Sequence, residues 1–306
     1  MKVYLLSQKG INKDASEDRA LVGNEVFSDQ EAVRNLSHGH VLLADGVGGN
    51  NAGAVAAFQV CKKLSDVAEL TPESFSAINE HLISMSAANE NYRNMATTAT
   101  GVYFSSTSSA QSYHVGNTRL YAIQAGEYLK QLTSDDTVVE YLIRTGKLTE
   151  EEAVNYPARN EITACFGGGK SSLLRIKTDH IDLVQYRQFL LTCDGIHDYL
   201  STDEMEDILG SCDGDWAKAL RELVSRAKEN SSPDDCSAII IDCDNMESES
   251  ALAGHEDQTC SNVQPDALAP VEEKEHHELS EDASEPKGVT RSRLMSFFKK
   301  KNEDKG

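Results

Sequence analysis

The chain is poor in basic residues, has no paired-cysteine motif and contains no long apolar run. Twenty-nine Lys and Arg stand against 50 Asp and Glu, a formal charge of −21. So acidic a surface repels nucleic acid and anionic membrane, and a nucleic-acid-binding role is not expected. No apolar run approaches the ~18–20 residues of a membrane span. The apolar stretch near the N-terminus is four residues long, too short for the core of a signal peptide. The seven cysteines are scattered without a CxxC pair, which argues against a disulfide framework or a thiolate zinc site. A soluble protein of a reducing compartment, the cytoplasm, is the expectation. There is also no GxSxG nucleophile motif and no internal repeat.

What the sequence has is a change of character near residue 245. Residues 1–244 carry apolar runs punctuated by Gly, Asn and Asp. Residues 245–288 are dominated by Glu, Asp, Ser and Pro and read as an acidic disordered linker. Residues 289–306 form a short basic and apolar tail, with Leu294, Met295, Phe297 and Phe298 between Arg291/Arg293 and Lys299–Lys301. That tail reads either as a solvated end or as a docking element, and one apolar face of two turns is too small for stable membrane anchoring. Within residues 1–244, helical spacing predicts helices over 51–67, 74–94, 137–144, 150–156, 202–209 and 216–230. Short apolar runs predict strands at 3–6, 40–44, 99–105, 112–115, 119–124, 128–132, 181–184, 189–192 and 238–241, several joined by turn dipeptides that favour antiparallel pairing. The pattern is α+β, not a regular βαβ series.

Acidic residues cluster at the ends of the most apolar runs. Asp45-Gly46 follows VLLA, Asp194-Gly195 follows LLTC, Asp234-Asp235 precedes CSAIII, and Glu17-Asp18 precedes a short apolar segment. A single Asp-Gly is most often a plain turn. Several Asp converging at one sheet rim would repel one another unless a cation bound them. Oxygen-only donors suit Mg²⁺ or Mn²⁺, and a Gly after the Asp would let the backbone turn sharply. Residues 164–171, ACFGGGKS, fit a relaxed phosphate-loop pattern and keep an ATP-binding enzyme open as an alternative. The residues after Lys170, however, read as a strand where a helix is needed.

The ordered set Gly10, Glu17-Asp18-Arg19, Asp45-Gly46-Val47-Gly48-Gly49, Gly116-Asn117-Thr118-Arg119, Asp194-Gly195 and Asp234-Asp235 resembles the PP2C-type metal-dependent serine/threonine protein phosphatases, with a bacterial-type flap across residues 132–163. The resemblance implies a four-layer α-β-β-α sandwich, two mainly antiparallel sheets flanked by helices. It implies two Mn²⁺ or Mg²⁺ ions, with Asp45 bridging them, the Gly46 carbonyl ligating one, Asp194 and Asp234 as further ligands and Asp18 contributing. Glu17 and Asn117 would stand in the outer shell and Lys13 would contact phosphate. A bridging hydroxide would attack phosphorus in line, and the substrate would be a phosphoprotein made by a cognate Ser/Thr kinase. The chain departs from the family pattern at Asn117, where Asp is usual, putting a third metal in doubt. It also departs at Lys13 for Arg, Val47 for a His of some members, Asp235 and Ser237 for Asn and Thr, and Asp136 for a flap His. The first two departures open a third reading, a catalytically silent phosphoprotein-binding regulator.

Overall fold

The structure, a computed structural model, describes residues 1–48, 52–153, 156–168 and 174–244. The expected linker and tail, and residues 169–173 of the glycine-rich loop, lie outside the described residues.

Two six-stranded antiparallel sheets form the centre. The first runs in the order Tyr128–Gln131, Arg119–Gln124, Gln188–Thr192, Cys236–Asp242, Lys2–Gln8, Glu31–Asn35. The second runs Lys177–Ile181, Ala110–Val115, Ala99–Phe104, Gly39–Ala44, Arg19–Val22, Glu25–Phe27. Side chains alternate across a strand, and Gly39–Ala44 shows the result. Val41 and Leu43 enter the core shared by the two sheets, while Leu42 and Ala44 face the helices outside. Cys236–Asp242 is buried from Cys236 to Ile241 because both its faces are covered, which is why it reads as a continuous apolar run.

The outer helices form where capping and spacing agree. Trp216–Glu229 begins at Asp215, whose side chain accepts the Lys218 N–H at 3.0 Å, and it lays Trp216, Ala219, Leu220, Leu223, Val224 and Ala227 on the first sheet. Thr202–Ser211 starts with a Ser201/Glu204 capping box. On the second sheet, Ala52–Ser65 packs through small residues, and Pro72–Ala88 starts at a Thr71/Ser74 box. The four-layer arrangement expected from the sequence is present.

The helix expected over 74–94 stops at Ala88. Asn89 is extended, its side chain accepts the Asn91 N–H at 3.0 Å, and a separate 3₁₀ turn follows. The strand expected at 181–184 lies earlier, at Lys177–Ile181. Asp182 then accepts the Val184 N–H at 2.8 Å and turns the chain.

Candidate metal centre

Strand register gathers the acidic residues. In the first sheet Gln8 pairs with Cys236 and Thr192 with Ala238, so Gly10–Lys13, Asp194 and Asp234-Asp235 leave from the same end. In the second sheet Arg19 pairs with Ala44, which sets Asp18 beside Asp45. Asn117 precedes Arg119, the partner of Thr192, and reaches the same rim. Its side-chain amide donates to Asp194 Oδ2 at 3.1 Å.

Glycines make the approach possible, though not by turning. Neither Gly46 nor Gly195 has positive φ. Gly46 pairs with Thr97 in a two-residue strand, and Gly195 lies in the short helix Asp194–His197. A Cβ on Gly46 would collide with the Gly53 carbonyl, and one on Gly195 with the Asp235 carbonyl. The sharp turns expected of these Asp-Gly pairs are replaced by close contacts of backbone on backbone.

Each carboxylate is held differently. The Asp45 backbone is pinned by Thr97 and Thr98: its carbonyl accepts the Thr97 hydroxyl and the Thr98 N–H at 2.9 Å, and its own N–H donates to Thr98 Oγ1 at 3.0 Å. Arg19 donates to the Ser16 and Asp18 carbonyls at 2.8 and 2.6 Å, fixing the loop that presents Asp18. Asp18 is 1% exposed. Among the described residues no hydrogen bond of normal geometry reaches either of its side-chain oxygens. The Ser237 hydroxyl is near enough to moderate its charge but donates to Ser7 at 2.9 Å. Lys13 makes ion pairs with Asp234 and Asp235, the latter at 2.9 Å, and stands 3.8 Å from Glu17. Burial opposes the Lys13 charge, but the hydrogen bonds to Asp234 and Asp235 outweigh it and raise the pKa above its ordinary value.

The carboxylates repel one another. Burial first, then Asp235, Asp194 and Asp234, push the Asp18 pKa up to about 7. Burial, Asp234 and Asp198 raise Asp194 to about 6, against the pull of Asn117 and Lys13. Burial, Asp194, Asp18 and Asp234 raise Asp45 well above the usual carboxylate range. The sequence reading missed Asp198, four residues beyond Asp194, and the Thr97-Thr98 clamp. The signal for the first was its i,i+4 spacing on a helix start. The second left none in the sequence.

The buried Asp18 carboxylate, which receives no hydrogen bond of normal geometry, stands among the mutually repelling Asp45, Asp194 and Asp234, and this set of hard oxygen donors fits a divalent cation. Among the described residues no three Asp, Glu, His or Cys side chains already close on one point. Bringing them onto an ion requires the carboxylate oxygens to move together, with Asp234 sharing or giving up its contact with Lys13. The relaxed phosphate-loop segment does not open a helix in its described part: Phe166–Gly167 forms a short strand paired with Ala96–Thr97.

Residues 18–238 match the Protein phosphatase 2C family, and the chain belongs to it. Serine/threonine phosphatase stp of Listeria welshimeri is 31% identical over 185 residues, 56% of this chain and 71% of that protein. A solved bacterial serine phosphatase is similar with a TM-score of 0.67 and 25% identity, across 80% of this chain and 99% of that one. The catalytic domain of PstP, solved with two manganese ions, shares the fold with a TM-score of 0.60 at 24% identity, across 79% of this chain and 99% of that one.

Proposed function

We propose that the chain hydrolyses phosphoserine and phosphothreonine on proteins, using two divalent ions held by Asp18, Asp45, the Gly46 carbonyl, Asp194 and Asp234, with Glu17 and Asn117 around them. The observation that carries this reading is the buried Asp18 carboxylate, which receives no hydrogen bond of normal geometry among the described residues, inside a cluster of like charges. The manganese in PstP favours Mn²⁺, and the donor set also accepts Mg²⁺. When bound, such ions acidify a water for in-line attack and neutralise phosphoryl charge. The chain supplies the rest. Thr97 and Thr98 fix the Asp45 backbone, and the Asn117 amide orients Asp194 and favours its ionised form. Lys13, exchanged from Asp234, meets a phosphate oxygen as a point charge, not as the bidentate fork of an Arg. The substrate would be a phosphoprotein made by an opposing Ser/Thr kinase, and residues 289–306 would serve in docking. Among the described residues six cysteines are free and buried, which suits a reducing cytoplasm, and no helix is long and apolar enough to cross a membrane.

The Lys13–Asp234 contact favours a second reading, a silent phosphoprotein-binding domain. Hydrolysis of p-nitrophenyl phosphate with Mn²⁺ or EDTA separates the two. Activity should require metal, and Asp194→Asn should lower it by more than ~100-fold, the upper end for groups that only support a metal. Activity indifferent to EDTA would overturn the first reading. Manganese binding without turnover would establish the second.

A further inference from the structure

Asp235 is only 2% exposed and is not among the proposed metal ligands. Its Oδ1 accepts the Gly10 N–H at 2.8 Å. Its Oδ2 accepts the Glu17 N–H at 2.8 Å and the Lys13 ammonium at 2.9 Å. A buried carboxylate is tolerated only when it is paired and hydrogen-bonded. Here every one of these donors comes from the same loop, residues 10–17, which carries both Lys13 and Glu17. The loop is also wedged from below, because a Cβ on Gly10 would collide with the Pro233 carbonyl.

The arrangement needs two acceptor oxygens. An amide offers one acceptor and one NH₂ donor. Asn at this position would aim its NH₂ either at the Gly10 N–H or at the Glu17 N–H and the Lys13 ammonium, donor against donor. A carboxylate at 235 accepts the Gly10 and Glu17 N–H groups and the Lys13 ammonium together, a set that an amide cannot satisfy.

We propose that Asp235 is a positioning residue that clamps the 10–17 loop to the start of strand Cys236–Asp242 and sets the Lys13 ammonium where it meets the substrate phosphate. It acts on substrate grip through Lys13 and touches neither substrate nor metal. The role rests on the phosphatase reading for what Lys13 binds; the clamp itself rests on geometry alone.

The test uses the full chain with saturating Mn²⁺ and p-nitrophenyl phosphate, comparing wild type, Asp235→Asn, Lys13→Met and the double variant. Asp235→Asn should raise KM about tenfold, the scale of one hydrogen bond to a charged group, with kcat within about threefold. Lys13→Met should raise KM similarly, and the double variant should be no worse than Lys13→Met, because one substitution acts through the other. An unchanged KM in Asp235→Asn, or fully additive losses, would overturn the proposal. Amide hydrogen exchange on metal-free wild type needs no variant to fold: Gly10 and Glu17 should be among the protected amides, and fast exchange at both would overturn the clamp. Absence of metal-dependent turnover in wild type with both amides protected would remove the phosphatase reading, and Lys13's role with it. Turnover with both amides unprotected would remove the clamp alone.

Discussion

Asp18 shows what the cluster demands of the protein. Its folded pKa of about 7, and the value of about 6 at Asp194, lie above the ~3.9 of an unfolded aspartate. Between about pH 4 and pH 7 these two groups hold more protons in the folded, metal-free chain than in the unfolded one, so their contribution to stability is present at low pH and lost as pH rises. A divalent ion binds the deprotonated carboxylates and should reverse the trend. The gap between manganese-loaded and EDTA melting temperatures is therefore expected to widen from pH 5 to pH 8, a difference in which the opposite titration of buried His40, His114 and His197 cancels. Asp18→Asn should raise the EDTA melting temperature at pH 8 and shrink that gap. If Asp18→Asn instead melted lower in EDTA at pH 8, repulsion would not be what governs this cluster. His114 is buried, bonded to Thr100 at 2.7 Å, and pushed by burial towards its neutral form.

At the scale of elements, glycine contacts decide whether the acidic loops meet. Gly195→Ala would drive a methyl group into the Asp235 backbone carbonyl, and an overpacking cost of about 2–3 kcal/mol is expected. Urea unfolding should show this as a lower midpoint with an unchanged slope; an unaltered midpoint would mean that the loops have room to spare. These contacts were not legible in the sequence, where Asp-Gly reads first as a turn. The buried strands were legible because both faces are covered and their apolar runs are unbroken, as in Cys236–Asp242. Trp216–Glu229 was legible from its stripe. The edge strands Glu25–Phe27, Glu31–Asn35 and Lys177–Ile181 were not, because they are short or largely exposed and give little periodic signal. Val184, expected in a strand, is 92% exposed at a turn. The candidate ligands were found by their place at strand ends and by family resemblance. Asp235 was legible as one of the acidic residues at strand ends, but its three donors from the 10–17 loop leave no mark in the sequence.

For the whole molecule, the 244 residues that hold both sheets and the acidic rim contain every group assigned to chemistry. Removing residues 246–306 is expected to leave p-nitrophenyl phosphate turnover within about twofold, since every group assigned to chemistry lies in residues 1–244, while altering the choice among phosphoprotein substrates. Loss of small-ester turnover in that truncation would show that the removed segment supports the site. The central claim is that the acidic rim holds a pair of divalent ions. Anomalous diffraction from a crystal soaked in manganese should reveal two peaks ~3.5–4 Å apart, bounded by Asp45, the Gly46 carbonyl, Asp194, Asp234 and Asp18, with Lys13 withdrawn from Asp234. A map without manganese peaks there, and with the Lys13 ammonium still on Asp234, would contradict it.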